Sequence, residues 1–384
     1  MKRRYKNNRI ESKGDLPLRI EKSLFLGRIV IFLFDIFFII YRRIFLLFNK
    51  NISGNLIVVS FQKLGDSVFA IPAIKEIVKY YKNYNIIIFC YPESKNIYDL
   101  VFKEHKVILN KEDFKFGLRI ASAGARKMLK KENPEIIFDL TGTIASASLI
   151  FSSAAPQVIG MNDRLFKSIY TQFTKKRTLP HLIDTYLDIA SLTIPIERKE
   201  EIYLFNNSVN KNGKILIHPF AGWKAKEWNL EKFIRLGGIL KDKYEIAFIL
   251  PKNSFSSEVQ VELGILDIPL IITESVDELI NELKKCSLII SNDSGPVYIA
   301  SLFGKPTFTI YGPTNPAYSI PFGTSHGYIQ KNIECSPEEN NQYCLTDAGR
   351  NGCPLFECMN LLTVDEVFEN LNQFIIKLGI EQKK

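Results

Sequence analysis

The sequence predicts an α/β protein built from two doubly wound domains that face each other across a cleft. Three observations carry this expectation. Short apolar runs, brief enough for buried parallel strands, alternate with stretches of helical periodicity. The alternation comes in two blocks, parted by the polar run ERKEEIYLFNNSVNKNG from about residue 197 to 213. At 384 residues the chain is long enough for two domains with additions. The expected division is residues 1–50 as a basic tail and helix, 51–200 as the first doubly wound domain and 201–384 as the second.

The first fifty residues hold 12 lysines and arginines against 4 acids, hence +8 of the total +9. The other 334 residues hold 38 against 37, so the basic character is local and does not point to nucleic acid. Residues 24–48 are intensely apolar, but their uncharged stretches fall short of the roughly 20 residues a membrane span needs. Glu21, Arg28, Asp35, Arg42 and Asn49 recur every seven residues, one narrow polar stripe on a helix. The leading expectation is an amphipathic helix lying in a membrane interface, flanked by basic residues that suit an anionic leaflet. A tilted span with Asp35 paired to an arginine, or a helix buried against protein, are the alternatives.

Strands are expected at Leu56–Ser60, Ile86–Cys90, Val107–Leu109, Ile136–Leu140 and Val158–Ile159. The second series is Ile215–His218, Ile246–Leu250, Leu270–Thr273, Leu288–Ser291 and Thr307–Tyr311. Helices are expected between them, among others at Ala73–Tyr81, Leu230–Leu240 and Val276–Lys284, with a final one at Thr363–Leu378 able to cap either half.

Asn292-Asp293-Ser294-Gly295-Pro296 follows the apolar run ending at Ile290. Capping residues with proline in the first turn start a helix, whose unpaired N–H groups at a strand's carboxyl end form an anion site. A phosphate-bearing ligand is the first inference, with Gly312, Pro313 and Thr314 in the loop after the next strand. A second loop, from His218 through Gly222 to Trp228, carries Lys224 and Lys226, able to neutralise phosphate oxygens. His218 there is read as a hydrogen-bonded structural residue or a donor contact. Glu258 would meet a ribose hydroxyl. A third loop, Gln62-Lys63-Leu64-Gly65-Asp66, puts a turn-forming glycine beside a carboxylate that either caps a helix or accepts a proton.

No G-x-G-x-x-G follows the first strand, no G-x-x-x-x-G-K-[ST] occurs, and no D-x-D pair is present. Dinucleotide dehydrogenase, P-loop NTPase and metal-bridged sugar-nucleotide readings lose their main support. Cys335, Cys344, Cys353 and Cys358 cluster late in the chain without C-x2-C pairs. Structural zinc, a disulfide and merely packed thiols all remain open.

Four blocks, LIVVSFQKLGDSVFAIPAI, EIIFDLTGTIASASL, ILIHPFAGWKAKEW and IISNDSGPVYIASLFGKPTFTIYGPTNP, together resemble glycosyltransferase family 9, the heptosyltransferases of lipopolysaccharide core assembly. The resemblance spans roughly residues 55–320. It implies a GT-B fold of two Rossmann-like domains, a nucleotide-diphosphate sugar donor such as ADP-heptose, and inverting transfer with neither metal nor cofactor. It makes Asp66 the general base and Lys226 the phosphate-contacting lysine. Donor contacts would come from Gly65, His218, Gly222, Glu258, Asn292, Asp293, Ser294, Gly295, Gly312, Pro313 and Thr314. The acceptor, a lipid-linked saccharide, would meet Lys63, Asp139 and Thr141. The implied location is the cytoplasmic face of the bacterial inner membrane, peripheral or monotopic.

The chain departs from the family in carrying Tyr298 where histidine is usual, and Asp139-Leu140-Thr141-Gly142 where D-L-Q-G is common. The first fifty residues are an addition. A nucleotide-sugar epimerase of similar fold and a non-catalytic sugar-nucleotide-binding protein are the competing readings.

Overall fold

Two six-stranded, all-parallel sheets form the frame. The computed structural model describes residues 29, 32–33, 35–41 and 44 near the start. It then describes 54–117, 120–151, 153, 155–161, 167–175, 177, 180–197, 211–252, 254–344, 353 and 355–383. The other members of the heptad stripe (Glu21, Arg28, Arg42 and Asn49) and most of the polar run between the blocks lie outside these residues.

The N-terminal unit runs β1 (Asn55–Ser60), α1 (Leu64–Tyr80), β2 (Asn85–Cys90), α2 (Pro92–Asp99) and β3 (His105–Ile108). A hairpin of β4 (Phe114–Lys115) and β5 (Ile120–Ala121) leads into α3 (Ala123–Lys131) and β6 (Ile136–Asp139). Then come α4 (Ile144–Ile150), β7 (Gln157–Met161), β8 (Gln172–Thr174) and α5 (Leu182–Ala190). Its sheet order is β3-β2-β1-β6-β7-β8.

The C-terminal unit runs β9 (Ile215–His218), α6 (Leu230–Lys241), β10 (Ile246–Pro251), α7 (Ser257–Ile265), β11 (Leu270–Thr273) and α8 (Val276–Lys285). It continues with β12 (Leu288–Asn292), α9 (Gly295–Leu302), β13 (Thr307–Tyr311), β14 (His326–Gln330), α10 (Glu357–Asn360) and α11 (Val364–Leu378). Its order, β11-β10-β9-β12-β13-β14, repeats the first. Order reverses beside β1 in one sheet and beside β9 in the other, and each reversal opens a crevice at the strands' carboxyl ends.

The central strands are continuous apolar runs because helices cover both faces. Each unit has its own core, Ile57, Phe89 and Ile137 belonging to one and Trp228, Phe248 and Phe308 to the other. The final helix α11 caps the C-terminal unit, its Phe374 ring 5.8 Å from that of Phe308.

Two expectations need correction. Helix α1 begins at Leu64, nine residues before the expected Ala73, and passes through Pro72. Proline removes one helical hydrogen bond, a loss this helix withstands because Ser67 to Ile74 is buried without a break. Lys63, not Asp66, holds the N-cap position, in extended conformation and without a side-chain cap bond. Gly65 lies in the first turn, so no left-handed conformation explains the glycine.

The described helical residues near the start pack on their unit through Phe38, whose ring lies 6.2 Å from that of Phe151. Asp35 accepts hydrogen bonds from the Ser168 amide, at 3.3 Å, and from its hydroxyl.

A Cβ added at Gly160 would come within 2.3 Å of the Tyr170 ring and 3.3 Å of Asp139 Cβ. We predict that Gly160→Ala displaces Tyr170 and costs about 1–3 kcal/mol of stability, readable as a lowered urea midpoint. An unchanged midpoint would show that the ring moves freely.

Candidate active site

At the β9/β12 reversal the side chains interlock. Asn292, fully buried at the end of β12, donates to the Pro219 carbonyl at 2.5 Å and accepts from the Trp228 amide at 3.0 Å. That clamps the 219–228 loop to the sheet. Trp228, also fully buried, donates from its ring nitrogen to the Leu362 carbonyl and meets Phe233 edge-on at 5.0 Å. Both residues shape the site from behind. The side chain of Asn292 is fully buried and braces this loop.

The clamped loop carries a single 3-10 turn, Lys224–Lys226. Lys224 points to solvent and pairs with Glu227 at 2.8 Å. Lys226 turns inward, its ammonium 2.6 Å from Asp293 Oδ2 and 4.6 Å from the centre of the Trp223 ring. Trp223 in turn sits 5.6 Å from Tyr343. A lysine held between a carboxylate and an aromatic face keeps its remaining N–H donors in a defined direction.

Asp293 is only 4% exposed. It accepts from Lys226, from Thr314 Oγ1 at 2.7 Å and from the Tyr298 hydroxyl. Burial pushes its carboxyl upward, but the Lys226 charge and these three donors outweigh that and hold it below the usual carboxylate range. Thr314 is fixed by its own loop: its carbonyl, with that of Gly312, accepts from Gln330, and it bridges to Tyr343. A Cβ at Gly312 would lie 2.7 Å from the Met359 side-chain methyl, so a larger residue there would push that side chain aside. The Pro313 carbonyl accepts from the Cys344 amide at 2.8 Å.

Ser294 caps α9 without a side-chain cap bond, its hydroxyl instead meeting Ser291 at 2.9 Å. Pro296 has no amide hydrogen, and Val297 donates to the Ser294 carbonyl. The turn therefore offers an anion the amides of Ser294 and Gly295, fewer than the sequence suggested. His218 is buried with its Nδ1 3.5 Å from Ser291 Oγ, and burial lowers its pKa to about 4. It is a neutral structural group. Glu258 and Gly222 are exposed. Glu258 lines a cavity of about 400 Å³ with Lys224, Glu227, Asn229 and Glu231.

The N-terminal unit has its own crest at β1/β6. Asp66 is half-buried in the first turn of α1. Lys63 is exposed beside it. Asp139 is fully buried and accepts from the Thr141 and Gly142 amides and, at 2.7 Å, from the Tyr170 hydroxyl. Burial raises its pKa despite those donors. Thr141 Oγ1 accepts from the Phe61 amide at 2.9 Å. Asp139 thus shapes its loop from inside.

No disulfide joins the four late cysteines. All four line one small cavity, yet among the described residues no group of three or more His, Cys, Asp or Glu is arranged to hold a metal.

A family model, glycosyltransferase family 9 (heptosyltransferase), matches residues 123–347, more than half the chain. The chain belongs to this family. It is therefore a glycosyltransferase. Among its relatives, lipooligosaccharide heptosyltransferase 2 of Campylobacter jejuni is 23% identical over 324 residues, covering 81% of this chain and 96% of the relative. Lipopolysaccharide heptosyltransferase 1 of Campylobacter coli is 25% identical over 326 residues, covering 74% and 90%. Among solved structures, a family 9 glycosyl transferase from Veillonella parvula superposes with a TM-score of 0.62 at 17% identity, over 84% of this chain and 97% of that one. The E. coli heptosyltransferase WaaC, solved with ADP, gives 0.60 at 14% identity, over 83% and 99%. The α/β fold with parallel sheets is that of these family 9 enzymes.

Tyr298 was marked by sequence only as a departure from the family, and nothing there signalled that its hydroxyl reaches Asp293. Sequence does not show which of the two nearby tryptophans stays partly exposed, and here it is Trp223, with Trp228 fully buried.

His218 and His326 both have pKa values lowered to about 4 by burial. Unfolded, they take up protons near pH 6.5, so the stability they lend is complete above that value and drains away as pH falls toward about 4. We expect unfolding free energy to decline over this window, and His218→Gln to flatten the decline. An identical slope in the variant would refute the assignment.

Proposed function

We propose that this glycosyltransferase moves a heptose, or a closely related sugar, from an ADP-linked donor to a hydroxyl of a lipid-linked saccharide of the lipopolysaccharide core. The observation that carries this is the inward-turned Lys226, fixed on Asp293 at the end of β12, one residue from a turn with two amides for an anion. That constellation suits a diphosphate leaving group. Lysine and backbone donors stabilise charge that grows as the sugar departs. The nucleoside has a matching space in the 400 Å³ cavity, where the carboxylates of Glu227 and Glu258 suit ribose hydroxyls.

Asp66 is the proposed base. It takes the proton of the acceptor hydroxyl as that oxygen attacks the anomeric carbon and the diphosphate leaves from the opposite side, giving inversion. Among the relatives, several are lipooligosaccharide heptosyltransferases, and E. coli WaaC has been solved with both ADP and an ADP-heptose analogue. Those names support the choice of donor and acceptor class. Leaving-group charge falls to Lys226 and the amides, so the reaction proposed here needs no metal.

The enzyme is proposed to work at the cytoplasmic face of the inner membrane. With Phe38 turned to the protein and Asp35 held by Ser168, the other side of the N-terminal helix carries Phe32, Leu33, Phe37 and Ile40, each 54–64% exposed. No helix among the described residues is long and apolar enough to cross a membrane. An outward apolar face next to a basic tail suits insertion into an anionic interface, where the acceptor resides.

Asp66→Asn should lower turnover of ADP-heptose about 10²-fold or more while ADP binding by calorimetry is retained. Near-normal turnover would remove Asp66 as the base. Turnover should also persist in excess EDTA, and a strict divalent-metal requirement would count against the site. Phe37→Glu with Ile40→Glu should abolish sedimentation with anionic vesicles and spare ADP binding, whereas continued sedimentation would place the membrane contact elsewhere.

A further inference from the structure

Asp293 stands in the turn where a donor-gripping carboxylate was expected, and both of its oxygens accept from protein donors. Oδ2 takes the Lys226 ammonium at 2.6 Å and the Thr314 hydroxyl at 2.7 Å, and Oδ1 takes the Tyr298 hydroxyl. The residue is buried, and so is Tyr298, which α9 holds one turn beyond Asp293. Thr314 arrives from a different strand, on a loop locked by Gln330 and Met359. Three elements thus converge on one buried carboxylate. A lysine ammonium carries three donors, and spending one on Asp293 leaves two for a phosphate.

We propose that Tyr298 and Thr314 are positioning residues which fix the Asp293 carboxylate as the anchor on which Lys226 is aimed, so that Asp293 acts through the lysine and not by gripping the donor. The proposal deepens the reading of Lys226 as the diphosphate contact and rests on it for its functional meaning. The anchoring itself is a property of the protein alone. It also gives the tyrosine at 298 a task, since its hydroxyl lets α9 hold the carboxylate in place.

The test is site-resolved acylation of the full chain with sulfo-NHS-acetate, read by mass spectrometry. Lys224, 80% exposed, serves as the open reference and Lys305, 4% exposed, as the buried one. Tyr298→Phe and Thr314→Val each remove one hydroxyl and little volume. Each should raise labelling of Lys226 relative to Lys224 by about fivefold or more, the scale of one hydrogen bond to a charged group. Thr314→Ser should restore the wild-type ratio, and Lys305 should stay protected throughout. In donor kinetics the same two variants should lose more kcat than KM, because a misaimed lysine fails chiefly at the departing charge.

An unchanged Lys226 ratio in both variants overturns the proposal. So does a parallel rise at Lys305, which would mark general loosening. Protection of wild-type Lys226 by added ADP tests the donor reading separately: its absence would remove that reading while leaving the anchoring result to stand or fall on the ratios.

Discussion

A carboxylate and an ammonium brought out of water cost several kcal/mol each unless each meets a partner of good geometry. The buried pair of Asp293 and Lys226 imposes that requirement on the C-terminal unit, and much of its loop structure answers it. Lys226 reaches inward because Asn292 clamps the loop that carries it and Trp228 pins that loop's far end. Thr314 is available because Gly312 lets its loop settle against Met359. Removing one partner would strand a charge in the interior, so the loops after β9, β12 and β13 act as one assembly.

The two units use the same strand order and put an aspartate at the carboxyl end of the corresponding strand, yet electrostatics separates the two. Asp139 and Asp293 are both buried, and burial alone drives both carboxyls upward. At Asp139 the stabilising groups are the hydroxyls of Tyr170 and Ser146 and two amides, all uncharged, and burial wins. At Asp293 a cation stands 2.6 Å away and the balance reverses. One sheet topology thus yields a loop staple in the first unit and a charged anchor in the second. The position of a single lysine decides which.

The N-terminal helix shows the same dependence on partners. An acid on such a helix suits either a water-facing or a protein-facing side. Ser168 decides the matter for Asp35 by satisfying its carboxylate, and Phe38 follows it into the core of the N-terminal unit. The apolar residues between them are left outward, a face that water alone does not favour.

The ten expected strands were legible because a parallel strand covered on both faces must be a short unbroken apolar run. Strands β4, β5 and β8 escaped notice because they are only two or three residues long, and β14 because it is partly solvated and not an unbroken apolar run. Lys226, Asp293 and the Ser294-Gly295-Pro296 turn were legible too, since strand ends, capping residues and proline have fixed meanings along a chain. What the residues alone determined was therefore the two-block α/β plan and the positions where chemistry is possible. Tertiary structure decided which polar groups face inward: Asn292, His218 and Asp139 became supports, and Tyr298 and Thr314 joined the anchor. The reason is physical. Periodicity reports which residues must be buried, but the partner of a buried polar atom comes from elsewhere in the chain and exists only once the sheets have formed.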